Sequence, residues 1–169
     1  MDPQLEEYLE HAERYRAVTL QLLDQAECLD LDWRPTPEAM SLGQQFVHVA
    51  QAEDFQIRGL LRGEWDEERV RLPAQVTGIA EVRELLARVR AHTLEGLADV
   101  SSGQLEERVG EPAATLRSWL WFVLEHEIHH KAQISLYLRL LGETPPFFAA
   151  PLPPGVRPDQ EFRDRMGGI

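Results

Sequence analysis

Four stretches of this chain carry apolar residues at steps of three and four, and this helical period constrains the fold more than any other feature. The clearest stretch runs from about Thr115 to Leu141, with Gly142 at its end and Pro145 and Pro146 beyond. A glycine after the last periodic residue, followed by prolines, is a typical helix stop. No alternating β-branched run elsewhere indicates a sheet, so the sequence predicts an all-α protein.

Prolines and glycines also bound three earlier helices. We expect the first over 3–29, with Asp2 as its N-cap and proline in the first turn. The second is expected over 41–63, beginning in a capping box, and the third over 79–98. Residues 104–114 are polar and can hold a short extended pair. The sequence therefore predicts four helices, as in a four-helix bundle.

The segments between and after the helices suggest how the domain is organised. The polar connection over 64–77 holds Pro73 and is too long for a tight antiparallel turn. If it crosses the bundle, the second and third helices run parallel. Residues 143–169 form a proline-rich tail, whose end we expect to be partly mobile. We expect one bundle domain over 1–148 and a tail over 149–169.

Composition excludes several classes of protein. The 169 residues include 29 acidic and 17 basic side chains, for a formal net charge of −12. That sign argues against a surface that binds nucleic-acid phosphates. Cys28 is the one cysteine, which excludes an intrachain disulfide and cysteine-rich metal knuckles. The amino-terminal residues do not read as a signal peptide, and charges interrupt every apolar run well before about 18 residues. We expect a cytoplasmic protein that binds neither nucleic acid nor membrane.

Two of the six histidines, His126 and His130, stand four apart in the fourth helix. Residues at this spacing share one face with their Cβ atoms ~5–6 Å apart, so both imidazoles can reach a single metal ion. The segment also matches the H-E-x-x-H pattern of zinc metalloproteases. We reject that function because no third ligand follows downstream and no second domain is available to form a cleft. The alternative to a metal site is a histidine pair on a solvated helix face.

A third ligand must come from another helix, and His48 in the second helix is the best candidate. Nothing local distinguishes His48 from an ordinary core or surface histidine. His129 points about 100° away from His130 around the helix, so it serves the site only if one of the pair does not. His11 and His92 are assigned to solvated helix faces.

Three further side chains are candidates for the surroundings of the metal. Gln44 and Gln133 lie one turn from His48 and His130, so they can orient ligands or water. Glutamines also commonly occupy solvated helix faces, which is the alternative. Tyr137 lies seven residues after His130 and can wall a pocket, although an aromatic residue at this spacing more often belongs to the core.

Two segments resemble motifs of the DinB/YfiT-like metal proteins. Residues 41–50, SLGQQFVHVA, are similar to the helix-two motif of that family. Residues 126–134, HEIHHKAQI, are similar to its second motif, H-x-x-x-H-R-G-Q. Lys131 and Ala132 replace the usual Arg-Gly beside the ligands. The resemblance covers roughly residues 5–148.

This resemblance implies an up-down-down-up four-helix bundle in which His48, His126 and His130 hold one divalent metal ion, Zn²⁺, Ni²⁺, Fe²⁺ or Mn²⁺. The best characterised relatives are thiol S-transferases and isomerases that use bacillithiol, mycothiol or glutathione. We therefore expect a metal-dependent thiol S-transferase whose partners are a small thiol and a small-molecule electrophile. Apolar outer-face residues of the fourth helix, with Phe147 and Phe148, favour a homodimer.

Two other functions are compatible with the same histidines. A metal-dependent hydrolase needs a general base near the metal-bound water. Glu53 and Asp54 are candidates, but neither lies one turn from His48, and Glu127 points off the ligand face. The second alternative is a non-catalytic stress-response metalloprotein that acts as a dimer, in which the metal is structural.

Overall fold

The computed structural model describes residues 2–145, and most of these residues are helical. The elements in chain order are α1 (Pro3–Gln25), α2 (Leu42–Arg62), a 3₁₀ turn (Glu67–Val70), α3 (Ile79–Leu97), the one-turn helix α4 (Ser102–Leu105), strands β1 (Arg108–Val109) and β2 (Ala114–Thr115), and α5 (Leu116–Leu140). The long helices α1, α2, α3 and α5 correspond to the four predicted helices. The two strands form an antiparallel pair of two residues each. The expectation of an all-α fold is confirmed.

The ends of the helices follow the predicted capping pattern, with one difference. Asp2 accepts a hydrogen bond from the backbone nitrogen of Gln4 at 2.8 Å, as an N-cap does. α1 ends at Gln25 rather than near Leu29, and the residues that follow form turns. Leu29 still packs against the core, although it does so from a turn. Its apolar character extended the helical pattern beyond the end of the helix.

α2 and α3 run parallel to each other. Val76, just before α3, packs against Gly43 at the start of α2. Leu61, near the end of α2, packs against Gly96 near the end of α3. The connection over 64–77 therefore crosses the bundle, as its length predicted.

The end of α1 fixes the direction of the other helices. The side-chain amide of Gln25 donates to the backbone oxygen of Thr144, just beyond α5, at 2.9 Å. Asp24, in the last turn of α1, forms an ion pair with Arg83 near the start of α3. α1 is therefore parallel to α5 and antiparallel to α3. Because α2 is parallel to α3, the bundle has the up-down-down-up order, and α2 and α5 run in opposite directions.

The bundle interior has two apolar clusters. One surrounds Phe46 and Leu86, and the other surrounds Leu97 and Leu120. Between them lie buried polar and charged side chains, which we call the polar belt: Arg16, Thr19, Glu53, Arg90, Glu127, His130 and Lys131. Buried groups of this kind are stable only when they are paired or hydrogen-bonded. The side chains of the polar belt must therefore find partners inside the bundle.

No helix between residues 2 and 145 combines the length and apolar character needed to cross a membrane. Phe147, Phe148 and the expected tail over 149–169 lie outside the described residues. The domain boundary placed at 148 stays a prediction.

Candidate metal centre

Three histidines from two helices meet at the polar belt, and one of them, His130, belongs to it. His48 extends from α2, and His126 and His130 extend from successive turns of α5. The ring centroid of His48 lies 5.1 Å from that of His126 and 4.6 Å from that of His130. The last two centroids are 4.5 Å apart. One nitrogen from each ring lies within 4.8 Å of the other two, so these residues could hold a metal ion.

The donor set of this cluster fits a divalent ion. Three imidazole nitrogens are common ligands of Zn²⁺ and other first-row ions, at ~2.0–2.1 Å for Zn²⁺. Nδ1 of His48 is buried and has no hydrogen-bond partner in the described part of the chain. A buried, unpaired nitrogen of this kind is unfavourable unless something binds nearby. No other histidine, cysteine or carboxylate between residues 2 and 145 joins the cluster.

The histidines of the cluster are held in their neutral form. Burial and, to a smaller extent, the neighbouring His48 lower the pKa of His126 to about 4. Burial, with His126 and His48, lowers the pKa of His130 to about 3. Burial also lowers the pKa of His48. Neutral imidazoles have a free lone pair, so the rings need lose no proton to bind an ion at pH 7.

Gln45 fixes the orientation of one ligand ring. Its side-chain oxygen lies 2.7 Å from Nδ1 of His130, and both side chains are buried. Because an amide oxygen only accepts, Nδ1 carries the proton and Nε2 of His130 is left free to bind. Partners of this kind hold a metal-binding histidine in one tautomer and one orientation. Sequence reasoning missed Gln45, because Gln44 and Gln45 stand four and three residues before His48 and helical spacing alone does not separate them.

The other side chains proposed for the site have different partners. Gln44 completes the capping box of α2, and its amide donates to the backbone oxygen of Pro73 at 2.8 Å. The amide nitrogen of Gln133 lies 2.8 Å from Nε2 of the exposed His129. Tyr137 is buried within the apolar core. A direct role for these residues at the metal stays a prediction.

Glu127, the glutamate of the H-E-x-x-H match, lies in the polar belt. Its carboxylate accepts hydrogen bonds from Nε of Arg16 at 2.9 Å and from the hydroxyl of Thr19 at 2.7 Å. Burial raises the pKa of Glu127, but Arg16 and Arg90 more than offset this, so its pKa lies below the usual value. Glu127 therefore points away from the ligand face, as expected, and is not placed as the general base of a metalloprotease.

A second carboxylate completes this ion cluster. Oε2 of Glu53 lies 2.5 Å from Nη2 of Arg16, and its Oε1 lies 3.1 Å from Nε of Arg90. Nη2 of Arg90 lies 3.3 Å from Oε2 of Glu127. Two guanidinium groups thus face two buried carboxylates, and Arg90 also pairs with the exposed Glu13 at 3.1 Å. Each long helix contributes one of these four residues, so the ion cluster joins all four helices next to the turn that bears His126.

Lys131 follows His130 and is almost fully buried. Its ammonium lies 4.3 Å from the ring centroid of Tyr15, which is a cation–π arrangement. Its nitrogen has no hydrogen-bond partner in the described part of the chain. Burial lowers the pKa of Lys131 to about 8, although the nearby Glu127 acts in the opposite direction. Lys131, which stands where the similar motif has arginine, is therefore part of the bundle interior and not of the surface.

The contact between Gln45 and His130 leads to a first prediction. We expect Gln45→Ala to lower the affinity for a divalent ion about 10- to 100-fold, because His130 loses the partner that fixes its ring. The measurement is competition with a chelating dye. Gln44→Ala is the matched control, since the neighbouring amide bonds to Pro73 instead. An unchanged affinity in Gln45→Ala would contradict the assignment to Gln45, and a loss confined to Gln44→Ala would favour the predicted role of Gln44.

The fold and the histidine cluster place this protein in the class of up-down-down-up helical bundles with a candidate metal site between α2 and α5. The sequence comparison agrees with this class. Residues 11–134 match the sequence profile of the DinB superfamily, and the chain belongs to that superfamily.

Solved structures show the same fold. The structure is similar to a DinB-like protein from Bacillus subtilis, with a TM-score of 0.70 and 22% sequence identity. That match covers 86% of this chain and 99% of the other. A DinB-like protein from Bacillus cereus matches with a TM-score of 0.63 and 20% identity, over 83% of this chain and 95% of the other. No curated protein matches the chain.

Proposed function

We propose that this protein is a metal-dependent thiol S-transferase that acts on small electrophiles. One divalent ion, Zn²⁺, Ni²⁺, Fe²⁺ or Mn²⁺, is held by His48, His126 and His130. The observation that carries the proposal is a cluster of three neutral imidazoles with no fourth protein ligand in the described residues. Catalytic sites leave such a position open, whereas structural zinc sites close it with a fourth side chain.

The chemistry assigns a distinct task to each residue. A divalent ion bound here would lower the pKa of a coordinated thiol, which would be present as the thiolate, the reactive nucleophile. The histidines hold the ion without contributing charge, and Gln45 keeps the ring of His130 in its binding orientation. The neighbouring ion cluster keeps the turn that bears His126 in place. None of these residues needs to move a proton during attack on the electrophile.

The position of the carboxylates favours a transferase over a hydrolase. A hydrolase needs a general base within hydrogen-bond reach of the attacking water. Both carboxylate oxygens of Glu53 and Glu127 already face arginines within the ion cluster. Asp54 accepts from Nε of Arg58 at 2.8 Å. All three carboxylates considered for a base are therefore occupied by guanidinium groups.

A turnover assay tests this proposal. We expect the protein loaded with Zn²⁺ or Ni²⁺ to accelerate conjugation of bacillithiol or glutathione to an activated aryl halide. A chelator should remove the activity, and so should His126→Ala. Hydrolysis of esters without added thiol would support the hydrolase instead. An absence of conjugation with both thiols, in protein shown to contain metal, would contradict the transferase.

The proposal includes a homodimer and a reducing compartment. Leu136 and Leu140 on the outer face of α5 are 54% and 58% exposed, which favours a contact with a second copy. Light scattering over a range of concentrations tests the dimer, and a mass of one chain throughout would exclude it.

A free thiol substrate persists in a reducing environment, so we place the reaction in the cytoplasm.

A further inference from the structure

A cleft lined by aromatic rings lies on the same α2–α5 seam as the histidine cluster. Its volume is about 710 Å³, and its walls include Phe55, Trp65, Trp119 and Phe122. Pockets for small molecules commonly measure ~300–1,000 Å³ and are lined mainly by apolar and aromatic side chains. Trp65 and Phe122 are 47% and 45% exposed, an unusual exposure for side chains of this size. We call this feature the aromatic cleft.

Helical spacing places the aromatic cleft next to the histidines. Phe55 stands seven residues after His48 on α2, which is two turns along the same face. Phe122 and Trp119 stand four and seven residues before His126 on α5, also on the ligand face. Because α2 and α5 are antiparallel, both steps lead in the same direction from the histidine cluster. At 1.5 Å per residue, the backbone positions of these aromatic residues lie roughly 6–11 Å along the helices from those of the histidines, a span that one small substrate can cover.

The walls of the cleft are held by close backbone contacts. Trp65 packs over Gly59 so tightly that a Cβ at residue 59 would lie 2.3 Å from the indole ring. The indole nitrogen of Trp119 donates to the backbone oxygen of Val109 at 2.9 Å. Gly110 has a φ of 75°, and a Cβ there would lie 3.0 Å from the same indole nitrogen. Two glycines therefore permit the positions of the two tryptophans.

The rings form two pairs. Phe55 and Trp65 meet edge to face with centroids 5.3 Å apart, and Trp119 and Phe122 meet in the same way at 5.5 Å. Aromatic faces are electron-rich, so they attract electron-poor groups. Glu111 also lines the cleft, and the chain carries a net charge of −12, so an anionic ligand is disfavoured.

We propose that the aromatic cleft binds the ring of an uncharged, planar, electron-poor aromatic electrophile and presents it to a thiolate at the histidine cluster. This inference rests on the proposed S-transferase function and names its substrate class. In the reaction the thiol proton leaves to solvent, the sulfur–carbon bond forms, and the carbon–halogen bond breaks. The halide departs with the bonding electron pair, so the step needs no oxidant or reductant.

Binding can be measured without any reaction by using 1,3-dinitrobenzene, which has the electron-poor ring but no leaving group. We expect it to bind the full chain saturably and to shift the indole N–H signals of Trp65 and Trp119 in ¹⁵N-labelled protein. The corresponding signals of Trp33 and Trp121, which lie outside the cleft, should move far less. Neither thiol nor metal is present in this measurement. It can therefore fail while turnover succeeds, or succeed while turnover fails.

Two variants and one control test whether dinitrobenzene binds in the aromatic cleft. Gly59→Ala should weaken binding about tenfold, because the new methyl group displaces Trp65 while alanine favours the helix. Phe122→Ala should weaken binding by a similar factor, through loss of one ring face. Leu136→Ala removes an equally exposed apolar side chain from α5 outside the cleft, so it should change binding less than twofold. Circular dichroism confirms that each variant is folded.

A charged probe tests the stated chemistry. We expect 3-nitrobenzenesulfonate to bind at least about fivefold more weakly than the neutral probe, and Glu111→Gln to reduce that difference. The inference is overturned if dinitrobenzene does not saturate, or if Gly59→Ala and Phe122→Ala leave its affinity unchanged. It is also overturned if the probe fails to bind and Phe122→Ala dissociates a dimer, because the cleft would then be a contact between two copies.

Discussion

The variant His126→Ala is expected to lose stoichiometric binding of a divalent ion while remaining folded. Four-ligand zinc sites contribute about 10–16 kcal/mol of binding free energy, so one ligand contributes roughly 3 kcal/mol. This corresponds to an affinity loss of about a hundredfold or more. His48→Ala and His130→Ala should behave alike, since one nitrogen from each of the three rings lies within 4.8 Å of the other two. Elemental analysis of the purified proteins and calorimetric titration with Zn²⁺ measure the loss.

Two other histidines provide controls for this prediction. His92→Ala removes an exposed imidazole from α3 and should leave the affinity unchanged. His129→Ala is the stricter control, because the ring of His129 lies 5.1 Å from that of His130 and could replace His126 or His130 as a ligand. A large loss in His129→Ala, together with retained binding in His126→Ala, would mean that the ligand set has been misassigned.

The fold could be predicted from sequence because its signals are local. The four helices, their caps and the crossing connection all follow from the positions of glycine, proline and the apolar residues. The exception is the end of α1, where Leu29 continues the apolar pattern into a turn. A periodic pattern indicates which residues face the core, but it does not show whether they lie in a helix. A leucine in a turn can be buried as well, so the pattern placed the end of α1 too late.

The site could be predicted only in part. The spacing of His126 and His130 identifies a shared helix face, but it does not show which helix lies opposite. His48 was the best candidate for a third ligand in a helical bundle, and the resemblance to a family supported it. The structure brings its ring against the other two. Gln45 could not be selected over Gln44, because the choice depends on how α2 is rotated against α5. Pairing between distant helices is a tertiary property, and no local pattern specifies it.

The same reason explains why the ion cluster was missed. Arg16, Glu53, Arg90 and Glu127 look like ordinary charged residues of amphipathic helices in the sequence. Charged side chains are rarely fully buried, so the sequence favours a solvated face for each of them. Only the packing of four helices shows that two positive and two negative groups meet between the apolar clusters.

Removing Glu127 is expected to cause a large loss of stability, because its carboxylate pairs with both buried arginines of the ion cluster. Glu127→Ala leaves the guanidinium groups of Arg16 and Arg90 to share Glu53 as their one buried carboxylate partner. The exposed Glu13, which also pairs with Arg90, does not reach into the cluster as a replacement. Breaking a buried ion pair in this way costs about 3–5 kcal/mol of unfolding free energy. For a chain of this length the melting temperature should fall by roughly 6–20 °C. Urea unfolding and thermal denaturation, both in excess chelator, measure the change without a contribution from metal binding.

Comparison with a nearby exposed glutamate shows how much of the stability loss depends on the burial of Glu127 and not only on its charge. Glu125→Ala removes an exposed carboxylate from the same helix and should change the unfolding free energy by less than about 0.5 kcal/mol. Glu127→Gln keeps the side-chain size and can still accept from Thr19, so its loss should lie between those of the two alanine variants. If Glu127→Ala costs less than about 1 kcal/mol, water must reach the two arginines when the carboxylate is gone. The ion cluster would then contribute little to holding the turn of His126, and the histidine cluster would depend on the apolar packing of α2 against α5 instead.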